Sequence, residues 1–525
     1  MSFIQDQNFG KIVNFDELRR IMRRVYDSIV PEFNLLKTLQ ILSESLHDSP
    51  SHMVAAGASM LAYQMLVVAG EKDLAEELKG NLFTLGWTEE HCGTDLLSIR
   101  TQATPISADP NERMYHISGH KWMINNSYHA DYHCVLAKLD PTQNGPRSLS
   151  LFLVPRSSTK NWQRLDTHVL NNMVLTEFDI EGEGRLIGKR GQGLQIVQQM
   201  ANAARYQCSY VGMRMVREAI PETINWLSSK HIFGNNPINF SNVFKQLYQL
   251  ALQTATVEFT YYRAHALNTR GGLLQFNGTM LKSFMLLRVN EMLLQNLLVA
   301  GSKGFTKMSL IGRDLIDSLV LPVFDGHYTL NTFMTAKHAE RYLQAERPED
   351  PAERIAYLRD NLYRAEPHGE LESETREGRQ PDFFNYAQYL EQLRLPIALP
   401  AQQMVEQVQA LINEMNAQAS ISSDPDFKYK VGDLVHWMES VMAASEMWAV
   451  TRYNHYSNAI VLQYNGFVNA FNKIISDNAF ETPYLEPMKM EPMIESISDA
   501  GRFLLELCDV EAKVKCMVPA TASGD

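Results

Sequence analysis

One acid, Asp325, stands directly before a glycine in the stretch LVLPVFDGHYTLN, residues 319–331, after a run of apolar residues. Asp-Gly is a turn signal, because glycine supplies the positive φ that such turns need. A carboxylate held on that turn could equally serve as a general base. The 15 histidines include two i,i+4 pairs, His116 with His120 and His129 with His133. On a helix that spacing suits a metal ion. These four fall in a segment that reads as strand and loop, where residues four apart stand roughly 13 Å from one another, so no metal site is expected. Cys92, Cys134, Cys208, Cys508 and Cys516 are scattered without a CxxC pair, the pattern of free thiols in a reducing compartment. No GxSxG elbow or cysteine-nucleophile motif occurs. GKRGQG lacks the Lys-Ser/Thr ending of a phosphate loop and reads as a plain loop. Two polar runs say more: LGWTEEHCGTD, residues 85–95, and SGHKWMINNSYHAD, residues 118–131. Small polar side chains and glycines beside strands offer donors and close backbone approach, as an enclosed polar ring requires.

The elements that must position these residues follow from hydrophobic periodicity. Apolar positions recur every three or four residues from about 14 to 80, predicting helices, the first starting at Asn14 or Asp16 and broken at Pro31. From about 83 to 180, short alternating runs such as HCVLAKLD and SLSLFLVPR are split by the turn cluster PTQNGPR, which predicts strands. After GKRGQG the helical period returns through three long stretches, an antiparallel bundle. Charge and proline in ERPEDPAERIAYLRDNLYRAEPHGELESETREGRQPD predict an exposed connector, and more helices follow. The expected fold class is α+β and mostly α. It comprises an N-terminal helical domain (1–82), a small β-domain (83–183), a helical bundle (184–345), a connector (346–384) and a C-terminal helical extension (385–525).

The 525 residues carry a formal charge of −12, with 45% hydrophobic and 21% charged side chains. That balance is globular and argues against a general nucleic-acid binder. The N-terminus has no apolar signal core, and no run is long enough to span a bilayer. A cytoplasmic protein without membrane or nucleic-acid partners is expected.

WTEEHCGTD and GHKWMINNSYHAD, in this order and separation, together with VLTEFDIEGEGRLIGKRGQGLQ and SSKHIFGNNPI, resemble the acyl-CoA dehydrogenase superfamily over roughly residues 50–335. The resemblance implies FAD between β-domain and bundle, an acyl-thioester substrate on CoA or a carrier protein, an electron-transferring flavoprotein as acceptor, and a homo-oligomer, dimer or tetramer. By position it places Thr88 and Thr94 near the flavin's pyrimidine side or the thioester. Asn125 stands in place of the usual Thr or Ser, and Met123 in place of the ring-packing Trp. Lys230 replaces the arginine that reaches the pyrophosphate of a neighbouring subunit's FAD, followed by Phe233 and a glycine. The later Gln and double glycine are reduced to Gly301 and Gly304, with Leu298 and Ser302 at the other places. The catalytic base implied is Asp325, after the pair Arg313-Asp314. Ala204, before Arg205, empties the alternative base position and leaves Arg205 to shape the site. Asp317 is expected as an exposed helix position. Two other readings stay open: a flavin-binding relative without acyl-CoA dehydrogenase activity, similar to the alkylation-response branch, and a scaffold that has lost its cofactor.

Overall fold

The computed structural model describes residues 15–29, 35–46, 50–109, 111–170, 175–269, 274–306, 309–346, 349–363, 384–418, 424–478, 480–490 and 499–517. Asn14 and Pro31, expected to bound the first helix, lie outside them. The chain is mostly helical with one mixed sheet, as the pattern predicts. It divides into two compact units, one ending at Val211 and one beginning at Gly212, within the long helix α5 (Gly193–Ser228).

The N-terminal unit opens with helices α1 (Phe15–Asp27), α2 (Leu35–Leu46), α3 (Pro50–Val68) and α4 (Lys72–Glu77). Tyr26 of α1 stacks on Tyr63 of α3 with centroids 3.9 Å apart. Seven strands follow: β1 (Phe83–Gly86), β2 (Gln102–Pro105), β3 (Met114–Asn125), β4 (Tyr132–Lys138), β5 (Leu149–Pro155), β6 (Thr159–Leu165) and β7 (Leu175–Ile187). Their pairings close a ring from β4 through β2, β3, β7 and β5 back to β4, with β1 on β4 and β6 on β7. Closure leaves few sheet edges unpaired. The ring's interior is packed by Tyr115, Ile117, Val135, Phe152, Phe178 and Ile180, among others. β3 alternates buried and exposed residues, as a strand with one wet face should. β4 is buried almost throughout, and its Cys134 thiol meets the Ala62 carbonyl of α3 at 3.5 Å. β7 runs to Ile187, past the boundary expected at 183.

The C-terminal unit holds α6 (Ser241–Thr269), α7 (Leu274–Met280), a π-helical turn (Leu281–Met285), α8 (Leu286–Ala300), α9 (Leu310–Ser318) and α10 (Tyr328–Leu343). Helices α11 (Pro351–Asn361), α12 (Tyr386–Gln392), α13 (Ala401–Asn416), α14 (Pro425–Thr451), α15 (Ser457–Asn478), α16 (Ala500–Cys508) and α17 (Val510–Met517) complete it. α11 occupies a stretch expected as exposed connector. Its start was written in the sequence as Asp-Pro: Asp350 caps the helix by accepting from Ala352 N–H at 2.9 Å, with Pro351 at the first helical position, where a missing N–H costs nothing.

The C-terminal extension is integral to this unit. α14 is buried along most of its length, and a Cβ on its Gly432 would lie 2.3 Å from the Thr332 carbonyl oxygen of α10. A buried ionic network joins four helices. Arg263 of α6 pairs with Glu446 and, at 3.1 Å, with Glu439, both on α14. Arg354 of α11 reaches Glu446 at 2.5 Å, and the Tyr389 hydroxyl of α12 donates to the same carboxylate at 2.8 Å.

Candidate active site

In the N-terminal unit, β3 loses register with β7 between Lys121 and Ile124. Met123, inside the break, adopts a left-handed φ of 57°. Such bulges re-aim side chains and are common beside active sites. Met123 is accordingly exposed, whereas Lys121 and Ile124 on either side of the break are buried. The Trp122 N–H donates to the Thr88 carbonyl at 3.1 Å, so the two sequence motifs meet. Thr88 is half-buried and Thr94 exposed, and among the described residues neither hydroxyl has a hydrogen-bond partner. Asn125 Nδ2 donates to the Val54 carbonyl at 3.4 Å, while its buried Oδ1 has no partner among the described residues.

The charges of these motifs do something else. Lys121 is fully buried and its ammonium donates to Glu89 at 2.9 Å and to the Leu136 carbonyl at 3.1 Å. Glu89 also accepts from the Arg100 and Thr101 N–H groups and the Thr101 hydroxyl. Burial opposes its charge, but Lys121 and these donors hold its carboxyl below the usual glutamate range. Asp131 works similarly, pairing with Arg19 of α1 and accepting from Leu82 N–H at 2.8 Å. The sequence reading quoted Glu89, Lys121 and Asp131 within motifs without assigning them this anchoring role. His91 and Cys92 bring ligand atoms within 4.8 Å of Glu89, a grouping that could hold a metal. Glu89's oxygens are already engaged by four donors, and burial pushes the Cys92 thiol up, away from thiolate, so the trio fits an anchor better than a metal site. Replacing Lys121 by Met is expected to cost about 3 kcal/mol, because Glu89 is left buried without its cation. Urea unfolding measures this, and adding Glu89→Leu should recover part of the loss.

Arg205, also in this unit, is nearly buried and donates to Asn202 Oδ1 at 2.5 Å. Burial lowers its pKa to about 10, which leaves it cationic at neutral pH.

In the C-terminal unit, Asp325 and Gly326 follow one another at left-handed φ values of 53° and 99°. Asp tolerates this region better than most residues and glycine is indifferent to it. The turn is fastened by Tyr328 N–H to the Pro322 carbonyl at 2.8 Å and by Asn331 Nδ2 to the Gly326 carbonyl at 2.9 Å. Burial pushes the Asp325 carboxyl above the usual aspartate range, and the Lys282 charge pulls it partly back. A carboxylate tuned upward in this way suits proton abstraction. Lys282, a lone cation in the apolar run GTMLKSFMLL, was passed over in the sequence reading.

Arg313 donates to Asp314 at 3.0 Å. Asp314 is buried, which raises its pKa to about 7 despite the arginine. Asp317 is buried too, correcting the expectation of an exposed position: it lies three residues after Asp314 and therefore on the same helix face.

Lys230 follows the end of α5, its ammonium 4.0 Å from the centre of the Trp226 ring. Lys303 lies 5.0 Å from the same ring and pairs with Glu222 at 2.9 Å. Phe233 stands on a left-handed residue in a tight turn and is 95% exposed. Gly301 ends α8 with φ 66° and ψ −141°, a conformation that requires glycine. Of the expected residues, Thr88 and the Met123–Asn125 segment are thus brought together. Thr94 and Arg205 lie in the same unit, and Lys230, Phe233, Gly301 and Asp325 belong to the other.

Helices, a small closed sheet and further helices, in this order along the chain, are the fold of acyl-CoA dehydrogenases. Residues 84–180 match the family described as acyl-CoA dehydrogenase, middle domain, and residues 191–339 the acyl-CoA dehydrogenase, C-terminal domain. It is 30% identical over 183 residues to the putative acyl-CoA dehydrogenase AidB of Escherichia coli, covering 33% of this chain and 32% of that protein. To the mitochondrial short/branched chain specific acyl-CoA dehydrogenase of Rattus norvegicus it is 22% identical, covering 48% and 59%. The matches therefore span from a third to three fifths of these curated relatives. Among solved structures, an acyl-CoA dehydrogenase from Bacillus anthracis complexed with FAD shares the fold at TM-score 0.63 and 14% identity, over 95% of this chain and 90% of that one. Butyryl-CoA dehydrogenase from Megasphaera elsdenii covers 64% of this chain and 92% of its own, at TM-score 0.57 and 16% identity. Among the described residues no helix is long and apolar enough to cross a membrane, and no disulfide joins the cysteines.

Proposed function

We propose that this chain is an FAD-dependent acyl-thioester α,β-dehydrogenase in which Asp325 removes the α-proton. The observation that carries the proposal is the Asp325 carboxyl, presented on a left-handed turn and raised by burial. A superfamily solved with FAD and named for acyl-CoA dehydrogenation supports it.

The residues present fit a flavin. The Asn125 amide has an orphaned buried oxygen, the Thr88 and Thr94 hydroxyls are available to bond a ligand, and Met123 offers an adaptable apolar surface. In the other unit, Lys230 would supply charge for a pyrophosphate without the bidentate fork of arginine, and Phe233 and Gly301 are carried over as cofactor residues from the resemblance alone. When bound, FAD supplies the acceptor for the β-hydride. Asp325 takes the α-proton as the α,β double bond forms, and a role for Arg205 in the substrate site is carried over from the resemblance alone. Electron-transferring flavoprotein as oxidant, a homo-oligomer sharing FAD sites, and a cytoplasmic setting belong to the same proposal. A second reading, a flavin-binding relative without this activity, is favoured by aspartate being one methylene shorter than glutamate.

The test is the visible spectrum of the purified protein, followed by anaerobic addition of acyl-CoAs of varied length. A yellow protein that bleaches is expected. A yellow but inert protein would support the second reading, and a colourless one the cofactor-depleted scaffold.

A further inference from the structure

Lys282 is fully buried, in the π-helical turn between α7 and α8 whose five residues are all buried. A π-turn inserts one residue into the helical ladder and is frequent at functional sites. A lysine side chain without exposure is uncommon and ordinarily has a specific partner. Its ammonium donates to the Leu321 carbonyl and lies 4.5 Å from the centre of the Phe324 ring. Both groups belong to the segment that ends in Asp325, so one side chain ties the helix to the loop at two points immediately before the acid.

We propose that Lys282 is the positioning residue of Asp325: it fixes the 321–325 segment through the Leu321 carbonyl and the Phe324 face, and so sets where the acid stands and which charge it meets. The catalytic part of this inference rests on Asp325 being the base. The charge acts in the direction required, since burial alone would push the carboxyl further up and Lys282 opposes that rise. The surrounding elements carry other titratable groups. His327 and Tyr328 follow Asp325 after Gly326, Tyr429 of α14 faces Tyr328 at 6.3 Å between ring centres, and Asp433 and Arg288 lie beyond. Of these and Lys282, it is Lys282 whose charge is felt at Asp325.

The test titrates the Asp325 carboxyl by infrared difference spectroscopy, with Asp325→Asn defining its band, in wild type, Lys282→Gln and Lys282→Arg. Glutamine keeps a donor for the Leu321 carbonyl and removes the charge; arginine keeps the charge. The midpoint is expected to rise by about one unit or more in Lys282→Gln and to stay near wild type in Lys282→Arg. The acidic limb of flavin reduction by an acyl-CoA should move upward with it, about tenfold in rate per unit at the acidic end. If Lys282→Gln does not fold, Lys282→Met, of similar length and apolar, reads the same outcome. An unchanged Asp325 midpoint in the neutral variant overturns the role of Lys282. A shifted midpoint with an unshifted rate profile upholds it and instead removes Asp325 as the base.

Discussion

Asp325→Asn is expected to slow flavin reduction by acyl-CoA about 10²–10⁴-fold, the usual contribution of a positioned general base, while leaving the flavin spectrum intact. Asparagine keeps the shape of the side chain and tolerates the left-handed turn, so the loss isolates the missing proton acceptor. The wild-type rate should rise with pH through the elevated pKa of Asp325, since only the ionised carboxylate accepts the proton, and that limb should vanish in the variant. Asp325→Glu advances the carboxylate by roughly 1.5 Å. If the turn already places the shorter acid correctly, this overshoot costs about a hundredfold. Stopped-flow bleaching under anaerobic conditions reads both variants, and an Asp325→Asn protein as fast as wild type would end the assignment.

The largest expected loss of stability follows Glu446→Ala, at about 5 kcal/mol, from breaking a buried ion pair by removing one partner. Glu446 is fully buried between Arg263 and Arg354 and accepts the Tyr389 hydroxyl. Its removal takes from Arg263 and Arg354 the carboxylate they share in the interior of the C-terminal unit, leaving Glu439 to the first and Glu349 to the second. Burial alone would raise the Glu446 carboxyl, but the two arginines hold it below the usual glutamate range. Its folded pKa being the lower one, the group stabilises the protein above the unfolded value of about 4.5, and that contribution is lost as pH falls through the folded pKa. Urea midpoints measured from neutral pH down to 3 should therefore fall in wild type and change less in Glu446→Gln. A variant of wild-type stability would show that the network contributes nothing.

The legible parts of this fold were those written in short-range pattern. Alternation in SLSLFLVPR gave β5, the three- and four-residue period gave the long helices, and the succession of motifs gave the likeness to acyl-CoA dehydrogenases that the family matches over 84–180 and 191–339 bear out. Within the expected connector, the helix at 351–361 was missed because charge and proline dominate the composition, while the Asp350-Pro351 cap that starts α11 is a two-residue signal; residues 364–383 of that stretch lie outside the described residues. Asp317 was misread because an acid on a helix is ordinarily solvated, and only packing on the face it shares with Asp314 buries it.

Sequence by itself determined the order of helices, strands and bundle, and which side chains stand at the motif positions, because periodicity and motif spacing are local properties of the chain. Only the tertiary structure decided which charges anchor and which remain for chemistry. Lys121 meets Glu89 across 32 residues and Arg263 meets Glu446 across 183. Among the described residues Asn125 has an amide oxygen without a partner, and Lys282 meets the loop that carries Asp325. The physical reason is that a buried charge is tolerated only where partners distant in sequence converge on it, and no window of sequence records that convergence.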